Sequence, residues 1–119
     1  MMITGVHALI YSKKAEAVRA FLRDVVGFPS VDDGDGWLIF ALPPAELGVH
    51  PTDGDTVHEL YLMCDNVEAT VRELRAKGVE FDGDIVDAGW GLMTAIVLPD
   101  GAKLGLYEPR HSVAHSLTR

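Results

Sequence analysis

The chain is poor in cysteine, in basic charge and in long apolar runs. Among its 119 residues there is one cysteine, Cys64, so no disulfide can close within it, which suits a reducing compartment. No stretch approaches the roughly 18 apolar residues that cross a bilayer. Residues 1–10 also lack the basic start and long apolar run of a secretory signal. A cytoplasmic location is therefore expected. Lys and Arg number 10 against 18 Asp and Glu, a formal net charge of −8. Such a field repels phosphate backbones and anionic lipid, so neither nucleic acid nor membrane is expected as a partner. No local basic patch offsets it, because Lys13 and Lys14 stand alone and the basic tail is short. There is no linker or low-complexity segment, and this length allows one compact domain.

What the chain does contain is a repeat. Val6-His7-Ala8-Leu9 returns as Val57-His58-Glu59-Leu60, and each copy is followed by a helical pattern. Val18, Phe21, Leu22 and Val25 form one apolar stripe, and Val67, Val71 and Leu74 form another. Asp65 with Glu68 reads as a capping box for the second helix. Both helices stop at a glycine followed by an apolar residue, Gly27-Phe28 and Gly78-Val79, the pattern of a left-handed C-cap. Three strand-like runs follow each helix: 29–32, 36–42 and 45–50, then 79–86, 91–98 and 102–108. The predicted order is β-α-β-β-β, twice.

One helix covers one face of such a sheet and leaves the other to curve around a ligand or meet its twin. Alternation assigns the faces. Ala8 and Ile10 fall under the first helix, leaving His7, Leu9 and Tyr11 on the concave side. Leu60, Leu62 and Cys64 face the second helix, with Glu59, Tyr61 and Met63 opposite. Leu47, Val49, Leu104 and Leu106 also face helices, which puts Glu46, Gly48, His50, Lys103, Gly105 and Tyr107 in the hollow. Glu46 and Lys103 occupy equivalent positions and could pair across the modules. Glu108 alternates away from Tyr107, toward the rim or solvent. Trp90, between Gly89 and Gly91, reads either as a flap over the hollow or as ordinary turn chemistry.

With these modules, His7 in the first strand and the run Leu98-Pro99-Asp100-Gly101-Ala102-Lys103-Leu104 before the last, the chain resembles the vicinal oxygen chelate superfamily. That superfamily contains glyoxalase I, bleomycin-resistance proteins, fosfomycin-resistance enzymes and extradiol dioxygenases. The resemblance covers about residues 2–109 and implies a single α+β domain. Two βαβββ modules, about 2–51 and 56–109, would join mixed curved sheets into a concave half-barrel with helices outside, followed by a tail, 110–119. Several chemistries share this fold. Metal-using members hold a divalent ion with His, Glu, His and Glu from the first, fourth, fifth and eighth strands. Carried over one position at a time, the first is His7, the fourth falls on Gly48 and the eighth on Gly105. The fifth falls on Glu59 counted from the helix start, or on His58 by the repeat. Two of the four positions are glycine, whereas a divalent ion needs at least three well-aimed donors. Glu46 and His50 flank Gly48, so His7, Glu46, His50 and Glu59 could form a displaced set for zinc, nickel, manganese or iron. The same four also read as the polar lining of a wet cavity.

The first expectation is a small-organic-ligand binding protein, a homodimer, with a degenerate metal site. His7 and Glu59 would act as hydrogen-bonding or acid/base groups, and Tyr11, Glu46, His50, Tyr61, Met63, Trp90, Lys103 and Tyr107 would line the pocket. Gly48 and Gly105 open the sheet floor to close ligand approach. The resemblance also implies two alternatives. One is a metal-dependent glyoxalase-like lyase or isomerase, or a ring-cleaving dioxygenase, whose ion polarises paired substrate oxygens. The other is a bleomycin-type drug-sequestering dimer, whose acidity would attract a cationic glycopeptide. Self-closed and swapped module pairings both fit, and the tail is expected to be loose or to cross onto a neighbour.

Overall fold

A computed structural model describes residues 6–114. Residues 2–5 of the first module and 115–119 of the tail lie outside that range. The elements are α1 (Ala15–Phe21), β1 (Ser30–Asp32), β2 (Leu38–Phe40), β3 (Tyr61–Met63), α2 (Val67–Ala76), β4 (Glu80–Phe81), β5 (Val86–Asp87), β6 (Gly91–Val97) and β7 (Lys103–Pro109). The fold is mixed α+β, with two helices and open, curled sheets.

In the second half local pattern and packing agree. α2 is capped by Asn66, one residue beyond the expected Asp65: its backbone is extended, and its side-chain oxygen accepts from Ala69 N–H at 3.0 Å. Gly78 ends the helix at φ 87°, where a side chain would be strained. β6 and β7 form an antiparallel hairpin, β3 runs parallel to β7 with Tyr61 opposite Gly105, and β4 and β5 pair with the far side of β6. Val67 and Val71 of α2 pack on Ile96, Leu98, Leu104 and Leu106, with Leu62, Cys64 and Leu74 against them. Burial pushes the Cys64 thiol pKa up, as for a small core side chain.

The first half departs from expectation. α1 continues as a wide π-helical turn, Leu22–Val26, that ends at Gly27 with φ 86°. Its apolar stripe does not cover a sheet of its own module, because Phe21 and Val25 pack against the core of the second half. β1 and β2 form a separate hairpin, turned by Gly34, Asp35 and Gly36 at positive φ. The runs 6–11 and 45–50, expected as strands, pair with no strand among the described residues. Leu47 and Val49, expected under a helix, are 90% and 88% exposed, and Ala8 is exposed too. A strand pattern forms a strand only where a neighbouring strand offers its backbone, and here none does.

Candidate functional site

The face of the second-half sheet turned away from α2 is a hollow. A cavity of about 630 Å³ lies on it, within the range of small-molecule sites, lined by Glu59 and Tyr61, Met93 and Ala95 of β6, and Lys103 and Gly105 of β7. His58 lies on its wall beside Glu59, and Asp82 and Asp84 border it from the segment after β4. Ile10, expected under the first helix, lines it instead.

The register Tyr61↔Gly105 explains the floor. The Tyr61 ring lies across Gly105, and a Cβ built there would collide with Tyr61 Cδ1. Tyr61 meets Trp90 and Tyr107 edge-to-face, with ring centroids 6.0 and 5.9 Å apart, and Trp90 meets Tyr107 at 5.0 Å. Such pairs stabilise one another beyond their buried area by about 0.5–1.5 kcal/mol. Gly91 is needed for the same cluster: a Cβ there would come within 2.9 Å of Tyr107 Cδ2 and 2.8 Å of the Glu108 carbonyl oxygen. The Trp90 turn is tied down rather than a free flap, because Arg110 N–H donates to the Trp90 carbonyl at 2.9 Å.

Polar contacts fix the aromatic rings. Tyr61 Oη donates to Glu59 Oε2 at 2.5 Å, and this bond, then burial, raises the phenol pKa above 10.0. The Tyr107 pKa is also raised, by burial and then by the Glu46 charge. Tyr107 Oη meets His111 Nε2 at 3.2 Å, and His111 Nδ1 meets the Ser112 carbonyl at 2.8 Å. With Nδ1 donating to that carbonyl, Nε2 accepts from the phenol. Glu46, expected to pair with Lys103, lies instead 3.9 Å from His111 Nε2 and accepts from Ala114 N–H at 2.6 Å. Lys103 turns to Asp82, 2.8 Å away in the segment after β4. The described part of the tail, 110–114, thus docks on its own chain.

The residues singled out from the sequence fall into two groups. Glu59, Tyr61 and Lys103 line the cavity; Trp90 and Tyr107 stand against Tyr61, and Met63 follows on β3, opposite Tyr107. His7, Tyr11 and His50 are exposed and stand outside the lining, and Glu46 belongs to the tail contact. Three contributors went unread: His111, Asp82 and Asp84. The run Phe81-Asp82-Gly83-Asp84 carried the only signal, an acidic turn at φ 81° on Gly83 inside what alternation took for one strand.

A divalent ion is the group this fold implies. The residues of one chain do not fit it. Among the described residues no three His, Cys, Asp or Glu side chains gather closely enough to hold a metal, so His7, Glu46, His50 and Glu59 do not form the displaced set. At Gly105, where a carboxylate ligand would project, the Tyr61 ring fills the space.

The second half is thus a curled mixed sheet with one face covered by a helix and an aromatic hollow on the other. The match of residues 5–109 to the Glyoxalase/Bleomycin resistance protein/Dioxygenase superfamily agrees, and the chain belongs to that superfamily. It is similar to TnmS3, an antibiotic binding protein from Streptomyces sp. CB03234, at 28% identity and TM-score 0.67 over 92% of this chain and 98% of that one. A glyoxalase/bleomycin resistance protein from the same Streptomyces is 27% identical, TM-score 0.55, over 81% of this chain and 92% of that one. Lactoylglutathione lyase from Agrobacterium tumefaciens shares the fold at 15% identity and TM-score 0.62, over 91% and 96% of the two chains. None of the curated proteins matches. Among the described residues no helix is long and apolar enough to cross a membrane.

Proposed function

We propose that this chain binds a small organic molecule with a flat aromatic surface and a cationic or hydrogen-bond-donating group, and sequesters it in the second-half hollow. The observation that carries the reading is the Tyr61 ring laid across Gly105 and flanked by Trp90 and Tyr107. These rings offer an apolar wall where metal-using relatives would place a ligand to the ion. The charge on the lining supports the second half of the reading. Lys103 is already matched by Asp82, which leaves Glu59 and Asp84 as negative charge around the cavity with no cationic partner among the described residues. Glu59, oriented by Tyr61, is the acceptor for the ligand's donor. The likeness to an antibiotic binding protein points the same way. In this reading no metal ion takes part, and the protein works in the cytoplasm, where its lone thiol needs no partner.

The test is emission from Trp90 in a Trp37→Phe background, titrated with bleomycin and with proflavine, a cationic planar acridine. Saturable quenching at micromolar concentration is expected from at least one of them. Tyr61→Ala should weaken it about tenfold, or about 1.4 kcal/mol, the scale of one lost aromatic wall. The absence of saturation with both probes overturns the proposal. So does stoichiometric zinc, nickel, manganese or iron in the purified protein that disappears in His7→Ala, since that outcome marks a metal-dependent enzyme.

A further inference from the structure

α1 and the β1–β2 hairpin enclose a second cleft, of about 400 Å³, that shares no lining residue with the hollow. Its size is that of a small-molecule site. Ala20, Gly36 and Leu38 make its walls small and apolar, and Arg19 brings a cation to them. The guanidinium carbon lies over the Trp37 ring, 5.3 Å from its centroid. Trp37 is fixed in turn: its N–H donates to the Gly34 carbonyl, and its carbonyl accepts from Asp33 N–H, both at 3.0 Å. A guanidinium stacked on an anchored ring keeps one plane, so little freedom is left to lose when an acceptor binds it.

What this guanidinium lacks is the acceptor. Its Nε is closed off from solvent and has no hydrogen-bond partner. The two Nη nitrogens are not closed off, and no hydrogen bond or ion pair reaches them among the described residues. Neighbouring charges do not supply one. Glu16, one turn earlier on the same lining, makes no ion pair with Arg19. Arg23, one turn later, is held fork-to-fork by Asp24, at 2.7 and 2.8 Å. Asp32 of the hairpin turn accepts from Gly34 N–H at 2.8 Å. A partly shielded guanidinium costs free energy until an acceptor meets it. In a chain with 18 acidic residues against 10 basic ones, carboxylates to pair with it were not scarce.

We propose that this cleft is a second binding site and takes a small monocarboxylate with an apolar body. The carboxylate meets the two Nη groups of Arg19 side by side, a geometry that a planar guanidinium offers and an ammonium does not. The body lies along Ala20, Gly36 and Leu38. Glu16 sets the charge: Arg19 matches one negative group, and a second would face a like charge across the cleft. The site does not depend on the ligand reading of the hollow.

The chain's two tryptophans give two indole N–H signals by NMR, one beside each site, Trp37 at this cleft and Trp90 at the hollow. Trp37→Phe assigns them. Benzoate added to the unmodified protein should move the Trp37 signal saturably at millimolar concentration and leave the Trp90 signal in place. Benzamide, which has the shape without the charge, and phthalate, which adds a second carboxylate, should each bind at least about tenfold more weakly. Arg19→Lys keeps the charge and loses the fork, so it should weaken benzoate about tenfold. Arg19→Gln should abolish saturation while the other signals keep their positions. A Trp37 signal that benzoate does not move saturably overturns the proposal. So does benzamide or inorganic sulfate that binds as tightly as benzoate, a comparison that needs no variant. Movement of the Trp90 signal alone places benzoate in the hollow and also overturns it, whereas failure of the cationic probes there overturns only the reading of the hollow.

Discussion

Replacing Gly105 by alanine sets a methyl group against Tyr61 Cδ1, and the ring, half-buried and hinged at its own Cβ, moves before the sheet does. The cost should therefore appear in binding rather than folding. Gly105→Ala is expected to lower probe affinity about tenfold, while the urea midpoint falls by the equivalent of only about 1 kcal/mol, the low end for overpacking. A large stability loss with unchanged affinity would show that the ring is not the ligand's wall. Tyr61 also predicts a pH effect with a definite sign. Its folded pKa is raised above the unfolded value of 10.0, chiefly by the hydrogen bond to Glu59. The stabilisation is thus complete below that value and is lost as pH rises through the higher folded one. Between about pH 9 and about pH 11 the urea midpoint should fall further in the unmodified protein than in Tyr61→Phe. Absorbance at 295 nm should show one phenol fewer titrating late in that variant. From the sequence Gly105 is legible as a vacated ligand position. That Tyr61 fills it is not, because the ring's place depends on the β3–β7 register, which no local pattern encodes.

At the level of elements, the N-terminus of α2 is satisfied from two directions. Asn66 reaches Ala69 N–H from the chain itself, and Glu108 Oε1, from β7, accepts from Val67 N–H at 3.0 Å. Alternation turns Glu108 away from Tyr107, but its destination is the helix end, where a carboxylate also meets the positive end of the dipole. Asn66→Ala and Glu108→Gln should each lower stability by about 0.5–2 kcal/mol. Their double variant should lose less than the sum if the two groups support one helix end. Urea denaturation with unchanged slope is the measurement. Long-range caps of this kind leave no trace in spacing. By contrast, the glycine stops at Gly27 and Gly78 and the strand phase of Leu62, Cys64, Leu104 and Leu106 were readable, because a backbone angle or a two-residue period fixes each of them locally. The first half was legible as composition and not as structure. Residues 6–11 and 45–50 have the residue types of strands, yet strand formation depends on what lies alongside, and α1 is engaged elsewhere.

For the whole molecule, the homodimer expected from the sequence would have to form against the chain's own acidity. Each carries a formal charge of −8, so association brings like fields together, and only buried apolar surface can outweigh them. The exposed runs 6–11 and 45–50 offer Val6, Leu9, Leu47 and Val49 and little charge, so an interface built on them would be apolar rather than held by ion pairs. Repulsion between exposed charges is screened as the Debye length shrinks from about 30 Å at 0.01 M salt to about 3 Å at 1 M, whereas apolar contact is not weakened by salt. Raising sodium chloride across that range should therefore tighten the dimer, measured as a lower dissociation constant by sedimentation. The melting temperature should also rise with protein concentration at every salt level, because dissociation and unfolding are linked. A dimer that loosens as salt rises would place the attraction in charged pairs rather than in these apolar runs.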